Sequence, residues 1–151
     1  MNWLVKEEPD SYSFDRLVQD GGTTWSGVRN PLAQKHLRAM RRGERVLYYH
    51  TGSERAVVGV ARVASAPRAD PDDATGRRVV VEIAPVGPLP RPVPLAALKA
   101  EPLFAAHPLV RIGRLSVMPV SDREWEVVER LASVPGPRAG GSAPRRPARK
   151  G

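Results

Sequence analysis

The sequence predicts an α+β fold, a small curved β-sheet or barrel with peripheral helices. Three observations carry this. Short segments rich in β-branched and aromatic residues recur along the chain. Helix-start signals fall between and after them. No internal repeat is visible, which sets aside solenoid architectures. At 151 residues, with 41% hydrophobic and 26% charged residues, the chain suits one domain with its own core.

The elements follow in order. Residues 2–6 read as a strand with Trp3 and Val5 on one face, broken by Glu8-Pro9-Asp10. Ser13 caps a short helix over 14–18, which Gly21-Gly22 ends. Residues 23–28 read as a loop containing Trp25. Asn30-Pro31 pairs an N-cap acceptor with proline at the first helical position. The helix it opens runs to about Arg41, with Ala33, Leu37 and Met40 apolar, and Gly43 ends it. Strands at 45–50 and 56–64 are joined by a hairpin-like linker. Residues 67–76 form a polar loop. Residues 77–84 make a β-branched strand, 85–94 are interrupted by proline, and 95–100 make a short helix. Residues 102–108 are irregular, and 114–117 suggest a last short strand. Ser121 and Glu124 form a capping box, and Trp125, Val128 and Leu131 stripe one face of the helix they open.

Charge divides the chain. Lys+Arg is 24 and Asp+Glu 16, a net of +8. Residues 135–151 hold five of the basic residues, no acid, four prolines and four glycines. The expected organisation is a domain over 1–134 and a disordered basic tail over 135–151. A basic arm attracts phosphate backbones without sequence preference. Arginine outnumbers lysine 20 to 4, which a GC-rich genome also explains. With no cysteine, disulfides, thiolate metal sites and cysteine nucleophiles are excluded. The N-terminus has no signal-peptide pattern, and no apolar run reaches the ~20 residues of a membrane span. The expectation is a cytoplasmic protein with no membrane partner.

Few patterns speak for catalysis. Asp70, Asp72 and Asp73 begin like a calcium loop, but Ala74 and Val81 occupy positions that need ligands. His36, His50 and His107 lack zinc-helix spacing. There is no Gly-x-Ser-x-Gly elbow and no phosphate loop. The chain is read as neither an enzyme nor a metal or cofactor binder.

Two segments are distinctive: Trp3-Leu4-Val5-Lys6-Glu7-Glu8-Pro9-Asp10-Ser11-Tyr12-Ser13 and Thr24-Trp25-Ser26-Gly27-Val28-Arg29-Asn30-Pro31-Leu32-Ala33. A tryptophan in a polar loop has two readings. It is a stacking platform beside a cleft, or it closes the end of the barrel. Together with Leu37 to Met40, Tyr49-His50 and Arg114 to Val120, these segments resemble the EVE domain, a PUA-like family related to the YTH domain. The ordered matches span residues 2 to about 132.

The resemblance implies a non-catalytic nucleic-acid-binding domain that reads a modified base of the 5-methylcytosine type, in DNA rather than RNA. Such a base is met flipped or in a single strand, stacked on an aromatic ring and read at its polar edge. By resemblance, the pocket comprises Lys6, Glu7, Glu8, Trp25, Ser26, Asn30 and His50. Asn30 serves equally as a helix cap, and His50 as a core histidine. Arg29 contacts phosphate or pairs with an acid of the first segment, and Arg114 and Ser116 support the site. Glu7 stands where many family members have serine. The alternatives are an RNA-binding PUA-like domain, or an enzyme on a small modified nucleoside using Glu8, Lys6 and His50.

Overall fold

The computed structural model describes residues 1–133, so the tail expected at 135–151 lies outside the described residues. The chain runs β1 (Asn2–Glu7), α1 (Pro9–Tyr12), α2 (Phe14–Asp20), β2 (Thr23–Trp25), α3 (Pro31–Ala39), β3 (Arg45–His50), β4 (Ala56–Val63) and β5 (Arg68–Ala69). It continues with β6 (Val79–Pro94), α4 (Leu95–Lys99), a 3-10 turn (Pro102–Phe104), α5 (Pro108–Arg111), β7 (Val117–Val120) and α6 (Asp122–Ser133). The strands lie in the order β2-β6-β4-β3-β1-β7, with β5 on β6. β1 and β3 are parallel, and the other pairings are antiparallel. Helix α3 touches both β7 and β6, near opposite ends of that order. It therefore bridges the mouth of a curled half-barrel.

Both faces of the sheet are covered. Trp3 meets His36 of α3, and Tyr48 meets Phe14 of α2. On the other face Asn2 donates to Asp122, and the Arg45 guanidinium lies 4.1 Å from the Trp125 ring centroid. Residues 3, 5 and 7 of β1 therefore face α2 and α3, while residues 2, 4 and 6 face the C-terminal layer. Burial on both sides explains why Trp-Leu-Val is a continuous apolar run rather than an alternating one.

The caps form as the sequence predicts. Ser13 accepts from Arg16 N–H, and Asn30 accepts from Leu32 and Ala33 N–H. Ser121 and Glu124 bond reciprocally at 2.8 and 3.1 Å.

Four boundaries are corrected. Pro9 starts the single-turn helix α1 rather than only breaking the strand. The segment read as a loop at 23–28 begins with β2, whose pairing to β6 buries Trp25. The proline-rich 85–94 stretch continues β6. Beyond Ile83 that strand pairs with β4 alone, through two register irregularities. An open edge and bulges are where a strand tolerates residues lacking an N–H. The last strand is Val117–Val120 rather than 114–117, in antiparallel register with Asn2 to Val5.

The polar loop is closed by Asp73. Its carboxylate accepts from the Arg77 and Arg78 N–H groups and from Thr75. The Arg78 amide and the Thr75 hydroxyl lower its pKa to about 2. A depressed carboxyl supports the fold above its unfolded pKa and loses that support as pH falls through about 2. Carbon-detected NMR titration should place the Asp73 midpoint there, with the Arg78 amide shifting in parallel. A midpoint near the ordinary aspartate value would show that these bonds do not persist in solution.

Candidate functional site

Tyr48, fully buried, is the hub of the inner face. Its ring centroid lies 5.5 Å from Phe14, 5.6 Å from Trp25 and 5.7 Å from His50, each approach edge-on. Its hydroxyl donates to Tyr12 O at 2.6 Å. Burial, then the nearby Glu7 carboxylate, pushes its pKa upward, so the phenol stays a donor. Nothing local in the sequence marked Tyr48; its clue was its place in the 45–50 strand beside His50. Phe14 is seated by Gly59, where a Cβ would fall 2.5 Å from the Phe14 ring.

The structure places the ten sequence-predicted residues unevenly. Glu7, Trp25 and His50 gather around Tyr48. Trp25 is only 6% exposed, so it closes the barrel end and presents no open stacking face. His50 is buried, and both ring nitrogens are engaged. Its Nε2 accepts from Phe14 N–H at 3.0 Å, and its Nδ1 lies 2.8 Å from Glu54 Oε1. An accepting Nε2 leaves the ring proton on Nδ1, which donates to Glu54. His50 is thus occupied as a core histidine. Glu7 accepts from Glu8 N–H. Glu8 precedes α1, and its carboxylate folds over Gly52, where a Cβ would lie 2.7 Å from Oε1. Gly52 also has φ of +77°, so glycine is required there twice over.

Lys6 is elsewhere. It is paired with Tyr49, one residue out of phase with Glu7 and His50, and so points to the opposite face. Its Nζ donates to Gly113 O at 2.8 Å and lies 5.9 Å from the Tyr49 ring centroid. Burial lowers its pKa. An acid–base set of Lys6, Glu8 and His50 is therefore not assembled. Ser116 supports β1 through its backbone, accepting from Lys6 N–H, and Arg114 is exposed in the loop before β7. The Asn30 side-chain oxygen is engaged in its helix cap. Ser26 and Gly27 are exposed between the buried anchors Trp25 and Val28, Arg29 is exposed just after Val28, and the space over Gly27 is open. This loop is the accessible part of the distinctive segment.

The family model of the EVE domain matches residues 1–131. The chain belongs to the EVE domain family. Among solved EVE relatives, the NMR structure of Rpa0253 from Rhodopseudomonas palustris is 45% identical, with a TM-score of 0.83 over 87% of this chain and 92% of that one. Human THYN1 in complex with 5-methylcytosine-containing DNA is 27% identical, with a TM-score of 0.78 over 88% of this chain and 98% of that one. Thymocyte nuclear protein 1 of Gallus gallus is 30% identical over 84% of this chain. The chain spans about two thirds (66%) of that relative's length. The α+β half-barrel is thus the EVE, PUA-like fold, and the family includes a protein solved on modified DNA.

A cleft of about 440 Å³ opens at the other end of the EVE sheet, among Asn2, His107, Pro119, Asp122 and Glu124. Its two carboxylates make it a poor seat for phosphate. His107 there caps α5 through Nδ1, and burial lowers its pKa. Among the described residues, no three His, Asp or Glu side chains are grouped to hold a metal. No helix among them is long and apolar enough to cross a membrane.

Proposed function

We propose that this chain is a non-catalytic reader of a modified base of the 5-methylcytosine type in DNA. The base enters beside Trp25, over the exposed Ser26–Arg29 loop. The observation that carries the reading is the 5-methylcytosine DNA complex of human THYN1, 27% identical across 88% of this chain. The local geometry agrees with it. Trp25 and Val28 are buried on either side of Ser26 and Gly27, which anchors the exposed backbone between them. The Ser26 hydroxyl and the loop amides supply donors, and Glu7 and Glu8 supply acceptors for an exocyclic amino group. Donors and acceptors on anchored backbone read a base edge better than mobile ones.

The test is binding of oligonucleotides carrying cytosine, 5-methylcytosine, 5-hydroxymethylcytosine or N6-methyladenine, as DNA and as RNA. A methyl contact is worth about 1–3 kcal/mol, roughly 10–200-fold. The expected result is a preference of about ten-fold or more for a modified cytosine in DNA, within that range. Equal affinity across the panel would overturn the reading.

A further inference from the structure

The described domain carries 19 basic and 16 acidic residues, so it is only slightly positive. That excess is not spread evenly. Residues 26–43 hold Arg29, Lys35, Arg38, Arg41 and Arg42 and no acid, leaving 14 basic against 16 acidic residues elsewhere in 1–133. All five side chains are exposed, and none joins an ion pair among the described residues. By contrast, Arg16, Arg45, Arg68 and Arg130 each face a carboxylate.

The placement is regular. Ala33, Gln34 and Leu37 bury one side of α3, which turns Lys35 and Arg38 outward on the other. Arg41 and Arg42 follow in the turn just past the helix, where Met40 leaves the helical conformation, and both are exposed. The Arg38 guanidinium donates to Arg77 O, which brings the start of β6, with exposed Arg77, against the same strip. Arg29 stands at the other end, next to the Ser26–Gly27 loop. A nine-residue helix is about 14 Å long, roughly four phosphate steps of one DNA strand at 3.4 Å each.

We infer that the outer face of α3 with Arg41, Arg42 and Arg77 is the track for the DNA phosphate backbone flanking the bound base. This rests on the modified-base reading for the loop. The track itself carries no sequence information; it positions the strand. Exposed cations with no carboxylate partner among the described residues suit that role because neutralising phosphates releases condensed counterions.

The experiment uses the full chain and the Lys35→Gln/Arg42→Gln variant, which leaves the Arg38 bond intact. Binding to 5-methylcytosine and unmodified DNA oligonucleotides, and to an RNA oligonucleotide of the same sequence, is measured across a salt series. The variant should lose affinity by similar factors on both oligonucleotides. Its slope of log affinity against log salt should flatten by about two, near 0.9 per lost phosphate contact. Arg111→Gln/Arg123→Gln, on the opposite layer, should change neither quantity. A Lys35→Gln/Arg42→Gln variant with the parental slope and affinity, or one weakened on RNA alone, would overturn the inference. If the parent fails to discriminate the methylated base, the reader proposal falls, while the slope difference still decides the track.

Discussion

Replacing Gln34 by leucine should lower the unfolding free energy by about 3–5 kcal/mol, because it leaves several buried backbone groups without partners. Gln34 is only 4% exposed, in the middle of α3. Its Nε2 donates to Val28 O at 2.8 Å and to Val79 O at 3.2 Å, and its Oε1 accepts from Val79 N–H at 2.9 Å. The amide thus stands in for a neighbouring strand at the start of β6. It also ties the end of the Ser26–Arg29 loop to the helix that closes the barrel. Leucine fills the same volume but offers neither donor nor acceptor. Urea denaturation measures the loss, and amide exchange at Val79 should quicken to match. A loss below about 1 kcal/mol would mean that these groups find other partners, and that apolar packing alone holds the seam.

Gln34 also shows where sequence reasoning reached its limit. The helix was legible because Asn30 and Pro31 act locally, and the same holds for Ser13 and the Ser121–Glu124 box. A glutamine inside a helix ordinarily faces water. The available signal was its position between Ala33 and Leu37, on the buried stripe. The prolines of β6 misled for a related reason. Whether a missing N–H costs anything depends on whether a strand lies on that side, and a single strand's sequence does not show its neighbours. Trp25 had two readings for the same cause: burial is set by β6 and Tyr48, both distant in the chain. A short apolar run ended by Glu8-Pro9-Asp10 was enough to find β1, yet the split of Lys6 from Glu7 became decisive only once His50 was seen in register with Glu7. The motif is contiguous in sequence, but a strand sends its odd and even residues to different faces.

His50 gives the sharpest test of that division between site and scaffold. His50→Phe keeps a ring of similar size against Tyr48 but removes the acceptor for Phe14 N–H, which begins α2. An orphaned buried N–H costs about 1–3 kcal/mol, so the variant should be destabilised by about that much. Glu54→Gln should cost under about 1 kcal/mol, since Glu54 is exposed and its amide oxygen still accepts from Nδ1. Phe14 cannot relax to absorb the loss, because its ring already lies against Gly59. Below its melting temperature, His50→Phe should discriminate a modified from an unmodified cytosine as the parent does, since neither imidazole nitrogen is free to meet a base. If discrimination disappears while stability is unchanged, the histidine reads the base directly. Its bond to Phe14 would then have to open on binding, with α2 moving away from Tyr48 as the base enters.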